Sequence, residues 1–304
     1  MNFQQLRALR ETVRNGFNLT GAAQAMFTSQ PGVSRQILEL EDELGITIFE
    51  RSGKRLTGLT EAGESILRIA ERLLLDAENL KQVGREFADA TAGTLTIATT
   101  HNQARHVLPQ VVQGFRSDYP DVRIALKQGG PDTIADWVVS GEADFGIASE
   151  ALPKHAALVS FPCYRWQHEI VVPKGHPLCA LASVGLNDIA AYPLITYDHG
   201  LTGRRLIDEA FTQAGLSADI VLTAMDSDVI QQYVALGLGV GIIASMAVEH
   251  SLNPALASLP GVHLFPANTT YLAVRRGTYL RNYKIEFILR MAPGVTREAI
   301  LTAV

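Results

Sequence analysis

The hydropathy period changes once along this chain, near residue 90, and no other feature constrains the fold as strongly. Before that point apolar residues recur at helical spacing with almost no β-rich run. From Gly93 onward, short runs of Val, Ile, Leu and Thr alternate with helical stretches. An all-α front part followed by an α/β remainder is the expectation. At 304 residues the chain is larger than one ordinary domain, and 47% hydrophobic against 19% charged residues supplies apolar side chains for packed cores.

In the front part, Phe3, Leu6, Leu9 and Val13 predict a first helix that Gly16 ends. Thr20 caps a short second helix, Gly21 to Met26. The turn Phe27-Thr28-Ser29-Gln30-Pro31 leads into a third, Gly32 to Leu44, closed by Gly45. This is the helix-turn-helix pattern, and residues 46–57 add two extended runs around a basic tip, a wing. Gln30, Ser34, Arg35 and Gln36 stand where side chains of a recognition helix reach base edges. Thr28, Ser29 and Pro31 complete that end, and Arg51, Lys54 and Arg55 on the wing suit phosphates. Solvated surface charge is the plain alternative, but helix, turn, helix and basic wing occur together and in order.

The next helix, from about Glu61 to Ala90, places Ile66, Ile69, Leu73, Asp76, Leu80, Val83 and Phe87 in alternating steps of three and four, a coiled-coil seam with one polar interruption. It reads as a dimerisation linker; packing on its own domain is the alternative. The roughly 210 residues that follow suit two α/β lobes with parallel sheets and a ligand in the crevice between them. The net charge of −5 excludes a uniformly basic nucleic-acid-coating protein. Residues 1–60 carry seven basic and six acidic side chains, so the acidic excess lies in the remainder.

Chemistry beyond binding has no support. No P-loop, GxSxG or HExxH motif occurs, the histidines are scattered, and neither a metal nor a cofactor is implied. The run Gly237-Leu238-Gly239-Val240-Gly241 follows a helix and precedes a strand, the reverse of a dinucleotide fingerprint, and reads as a turn needing positive φ. Two cysteines form no framework, no signal or membrane span is visible, and a cytoplasmic protein is expected, so the sequons at Asn18 and Asn268 are chance matches. Residues 99–105 and 197–204 each put hydroxyl and amide groups where a strand runs into a helix. Either they cradle a small anion at two helix N-termini, or Thr100, Asn102 and Thr202 simply cap those helices.

The segments 18–25, 29–36, 40–45 and 49–51, closed by Leu59-Thr60-Glu61-Ala62-Gly63, resemble the N-terminal signature of LysR-type transcriptional regulators, and the likeness spans the chain. It implies a winged helix-turn-helix (1–60), a linker helix (61–90) and a two-lobed effector domain like periplasmic binding proteins. Lobe I would be 91–161 with 267–304, and lobe II 162–266, with crossings near Phe161-Pro162 and Pro266-Ala267. Partners so implied are promoter DNA, RNA polymerase, further copies of the chain in a dimer or tetramer, and a small effector. Residues 99–105, Gln128-Gly129, 143–148, 162–166 and the Thr202 segment look like the CysB branch, which regulates sulfur assimilation. That likeness points to Thr100, Gln103, Trp166 and Thr202 as holding sulfate or a sulfur-pathway metabolite such as acetylserine or adenosine phosphosulfate. Trp166 would give an indole N–H or a wall, or be merely packed. Asn102 and Ser149 stand where that branch usually has threonine, and both keep a polar group. An oxyanion solute-binding protein, a regulator of an unrelated pathway and an α/β enzyme are the rival readings.

Overall fold

The computed structural model describes residues 1–53, 55–88, 91–149 and 151–304, and of Thr202, His250 and Ser251 only the backbone. The chain divides into two compact units, Met1–Ala88 and Asp89–Val304.

The first unit runs α1 (Phe3–Arg14), α2 (Leu19–Ala25), α3 (Gln30–Leu44), β1 (Phe49–Ser52), β2 (Arg55–Leu59) and α4 (Glu61–Ala88). Each helix start has a local cause. Asn2 and Gln5 form a reciprocal capping box on α1, and the Ser29 hydroxyl accepts from the Gly32 N–H at α3. The second helix starts two residues before the expected Gly21, because the cap is Asn18 and not Thr20: its Oδ1 accepts from the Thr20 and Gly21 N–H groups. Leu6, Leu9, Ala22, Val33, Ile37, Leu40, Ile48, Phe49 and Leu56 form the core. Helix α4 joins it through Ala70 and Leu74, with Ile66 packed alongside. Gly63 lets α4 begin there, since a Cβ would lie 2.1 Å from the Ile48 carbonyl oxygen. The rest of the expected seam stays uncovered in this unit: Ile69, Leu73, Leu80 and Phe87 are 50%, 36%, 75% and 88% exposed. Residues 89 and 90 of the expected linker helix lie outside the described residues.

The second unit holds two five-stranded sheets. The first, ordered β4-β3-β5-β12-β6, is built from β3 (Gly93–Thr99), β4 (Val122–Gln128), β5 (Phe145–Ala148), β6 (Leu158–Trp166) and β12 (Asn268–Arg275). The second, ordered β11-β7-β10-β8-β9, uses β7 (His168–Pro173), β8 (Leu194–Tyr197), β9 (Ile220–Ala224), β10 (Val240–Ala244) and β11 (Leu256–Pro260). Helices α5 (His101–His106), α6 (Leu108–Asp118), α7 (Pro131–Ser140), α12 (Asn282–Met291) and α13 (Arg297–Ala303) belong with the first sheet. Helices α8 (Leu186–Ala190), α9 (Thr202–Gln213), α10 (Ser227–Ala235) and α11 (Ser245–Ser251) belong with the second.

The sheets are mixed, not purely parallel as expected. Strands β4, β3 and β5 are parallel, as are β9, β8 and β10, but β12 and β7 pair antiparallel with their neighbours. The reason is the connection: where the chain passes between lobes it has no crossover helix to return a strand in the same direction. The β6–β12 ladder runs through to Trp166 opposite Asn268, so the first crossing falls at Gln167 and not at Phe161-Pro162. Of the glycine run, Gly237 alone has positive φ, 79°. Gly239 and Gly241 are there for close packing: a Cβ on either would meet the Pro193 carbonyl or the Val171 side chain within 2.5 Å. Among the described residues no helix is long and apolar enough to cross a membrane.

Candidate functional site

In the first unit, Thr28, Ser29, Gln30, Pro31 and Arg35 are exposed at the N-terminal half of α3, with Ser34 and Gln36 half-buried, while Val33 and Ile37 face the core. Ser29 serves as the helix cap. The Arg35 guanidinium lies 2.7 Å from Glu39 one turn on, and this contact holds the Glu39 carboxyl below its ordinary range. On the wing, Arg51 and Arg55 are exposed, and Lys54 lies outside the described residues. Arg51 has a prior engagement. Its guanidinium donates to Glu41 Oε2 at 2.8 Å, while Glu41 Oε1 accepts from the backbone N–H groups of Ile48 and Phe49 at 2.8 and 3.2 Å. Glu41, which sequence reasoning passed over, thereby ties the end of α3 to the base of the wing.

In the second unit, Thr100, Asn102, Gln103, Ser149 and Trp166 come together around one pocket between the lobes. The Thr202 side chain lies outside the described residues, but its neighbours Leu201 and Gly203 line the same pocket. The pocket is narrow, about 40 Å³. Pro131 and Leu201 also line a wider crevice of about 750 Å³ that carries Lys154, His199, Arg204 and Arg205 beside Asp132, Asp208 and Glu209. Arg204 is buried and satisfied within its own lobe by Asp208, the Tyr197 carbonyl and His199.

Capping does not account for Thr100 or Asn102, and the Thr202 side chain lies outside the described residues. Thr100 is the N-cap of α5 and Leu201 that of α9, and among the described residues neither cap side chain makes a cap hydrogen bond. Asn102 instead spans the lobes: its Nδ2 donates to the Tyr197 hydroxyl at 3.2 Å, and its Oδ1 accepts from the Ser227 N–H at 3.1 Å. An Arg105–Asp228 ion pair and a His101–Asp226 contact of 3.9 Å close the same edge. His101, Asp226 and Asp228 thus lie within 4.8 Å of one another, with Arg105 as the countercharge.

Three further residues shape the pocket and left little trace in the sequence. The Tyr197 hydroxyl accepts from the Ala244 N–H at 2.6 Å and bonds Ser227 Oγ at 2.8 Å; burial pushes its pKa up to about 12, so it stays protonated. Thr270, fully buried on β12, accepts from both Gln103 Nε2 and Trp166 Nε1 at 3.2 Å. The indole N–H is therefore turned into the protein, and Trp166 presents a wall. Gln103 keeps its Oε1 buried and without a hydrogen-bond partner among the described residues. His168, behind Trp166 with ring centroids 5.2 Å apart, is fully buried, which pushes its pKa down to about 4. Gly203 lets the start of α9 come this close, since a Cβ would lie 3.1 Å from the Tyr197 ring and 3.2 Å from His168 Nε2.

Comparison with known proteins matches each unit to a known domain. Residues 3–64 match the model of the bacterial regulatory helix-turn-helix protein, lysR family, and residues 88–290 that of the LysR substrate binding domain. The chain is 52% identical over 308 residues to the HTH-type transcriptional regulator SsuR of Burkholderia cenocepacia, covering 99% of this chain and 100% of that protein. It is 48% identical over 300 residues to the regulator CysB of the same organism, covering 99% and 96%. The crystal structure of the cofactor-binding domain of the Cbl transcriptional regulator, 49% identical, superimposes with a TM-score of 0.68 over 70% of this chain and 93% of that one. All three come from transcriptional regulators. Helix-turn-helix, wing, linker helix and two-lobed domain thus occur in one order with one set of relatives, and the chain belongs to the LysR family of DNA-binding transcriptional regulators, in the branch of SsuR, Cbl and CysB.

Proposed function

We propose that this regulator controls genes of sulfur assimilation or of sulfonate and sulfate utilisation, chiefly as an activator, in answer to sulfate, acetylserine or adenosine phosphosulfate held between its lobes. The observation that carries the reading is the convergence of Thr100, Asn102, Gln103, Ser149 and Trp166 on one interlobe pocket beside the start of α5, whose cap residue Thr100 makes no cap hydrogen bond. A dry site of hydroxyls, amides and helix N–H groups can hold a fully ionised oxyanion without a salt bridge. Thr202 completes the effector set. Residues 1–60 are the DNA-binding domain, with Thr28, Ser29, Gln30, Pro31, Ser34, Arg35 and Gln36 at the bases and Arg51, Lys54 and Arg55 at the phosphates. Residues 61–90 pair the chain, and 91–304 sense the effector.

The mechanism is a population shift. The pocket lies between the lobes, so a ligand held there touches both and favours the closure that fits it. The bonds of Asn102 to Tyr197 and Ser227 are remade or lost in that movement. The exposed apolar stripe of α4 covers itself in a dimer, dimers assemble into a tetramer in the cytoplasm, and lobe closure rotates them to alter promoter bending. A mobility-shift assay on promoters of sulfur-source genes, with calorimetry of the full chain against the three effectors, tests this. Binding in low salt, and heat with at least one effector, is expected. A chain that shifts none of these promoters, or binds none of the effectors, would overturn it.

A further inference from the structure

Among the described residues two non-glycine residues have positive φ, Phe17 at 63° and Phe27 at 51°. Bulky side chains are costly there, and glycine is the usual occupant. For Phe17 the compensation is visible: its ring stands edge-on to Phe49, centroids 6.3 Å apart, against the core. For Phe27 there is none within its unit. The end of α2 is a Schellman motif, with the Thr28 N–H donating to the Ala23 carbonyl at 3.0 Å and the Phe27 N–H to that of Gln24 at 3.1 Å. Phe27 thus holds the position that most favours glycine. Its ring is 98% exposed and belongs to no apolar cluster.

What lies beside it names the occupant. Phe27 stands two residues before Ser29, the cap of α3, and no acidic residue occurs from Thr28 to Leu38. In helix-turn-helix docking that end of the second helix enters the major groove, where thymine presents an apolar C5-methyl group that a phenyl ring can cover. We propose that Phe27 is a specificity-determining residue that reads a thymine methyl in each operator half-site by apolar contact. This rests on the reading of the first unit as DNA-binding and adds a base contact that hydrogen-bond donors cannot supply.

The test uses the full chain and a fluorescent promoter duplex that the wild type binds, titrated by anisotropy at several salt concentrations. Phe27→Gly relieves the backbone strain, so the variant should melt at the same temperature as the wild type or higher, yet bind the operator about tenfold more weakly, the cost of one base contact. Its affinity for a scrambled duplex and its salt slope should be unchanged, because no phosphate contact is removed. Replacing thymines one at a time by uracil should weaken wild-type binding at one position per half-site and leave Phe27→Gly unaffected there. The proposal is overturned if Phe27→Gly binds the operator as tightly as the wild type, if it weakens operator and scrambled duplex alike, or if no single uracil matters. A wild type that binds no duplex at all would instead remove the DNA-binding reading, and the proposal with it.

Discussion

Replacing Thr270 by valine keeps its volume and removes one oxygen, and that oxygen is the acceptor for two pocket side chains. Thr270 is fully buried, Gln103 is 3% exposed and Trp166 9%, so neither the amide N–H nor the indole N–H can turn to water when the hydroxyl goes. Both bonds are 3.2 Å, the long end of the range for N–H to oxygen. A buried donor left without an acceptor costs about 1–3 kcal/mol, and the lower half of that range for each gives about 3 kcal/mol in all. In a domain of roughly 200 residues each kcal/mol lowers the melting temperature by about 2–4 °C, so a fall of roughly 6–12 °C is expected by calorimetry. Thr270→Ser keeps the acceptor and loses a methyl group, costing only about 1 kcal/mol. With Trp137→Phe as background, Trp166 is the one remaining tryptophan, and its emission should shift to the blue in the valine variant only, because the buried indole N–H loses its acceptor. If Thr270→Val melts within 2 °C of the wild type, or if serine costs as much as valine, Thr270 does not position Gln103 and Trp166.

Other consequences follow from single groups. The His168 imidazole has its pKa lowered from 6.5 to about 4 by burial, so below pH 6.5 the unfolded chain binds a proton that the folded chain refuses. Stability is complete above pH 6.5 and falls by about 3 kcal/mol as the pH drops to 4; urea midpoints should show this loss, and His168→Gln should flatten it. Glu41→Ala strands two buried backbone N–H groups and frees Arg51 to solvent, destabilising the first unit by roughly 2–4 kcal/mol. Operator affinity should then fall although a negative charge has been removed, and a rise would show that Glu41 merely repels DNA. A Cβ on Gly63 would collide with the Ile48 carbonyl while one on Gly84, also in α4, meets nothing within 4 Å. Gly63→Ala should therefore lower the melting temperature, and Gly84→Ala should raise stability by up to about 1 kcal/mol.

The local features were legible in the sequence to different degrees. The change of period near residue 90 placed both architectures, and Pro31 and Gly45 bounded the third helix, because these signals act within a few residues. Asn18 was passed over as a cap in favour of Thr20, both being competent and two residues apart. The direction of β12 and β7 was not legible, since strand direction depends on where the chain travels between pairings and not on the composition of the strand. At the pocket, residue types at a strand end indicated Thr100, Asn102 and Gln103, while Ser149 and Trp166 were indicated only by the resemblance to the CysB branch. Thr270 lay hidden in an apparent sequon, and Tyr197 in an ordinary apolar strand, because their roles arise from partners 167 and 95 residues away. The choice for Trp166 between donor, wall and plain packing stayed open for the same reason: the sequence cannot show which neighbour takes an indole N–H.

The central claim is that an effector between the lobes governs how this chain holds DNA. Anisotropy titration of the full chain on a promoter duplex of sulfonate-utilisation genes, with and without sulfate, acetylserine or adenosine phosphosulfate, measures that coupling directly. The account predicts that at least one of the three changes the apparent affinity about fivefold or more, and that Thr100→Ala and Asn102→Ala each diminish the change while leaving effector-free binding intact. Affinity indifferent to all three, or an effect that survives undiminished in both variants, would contradict it.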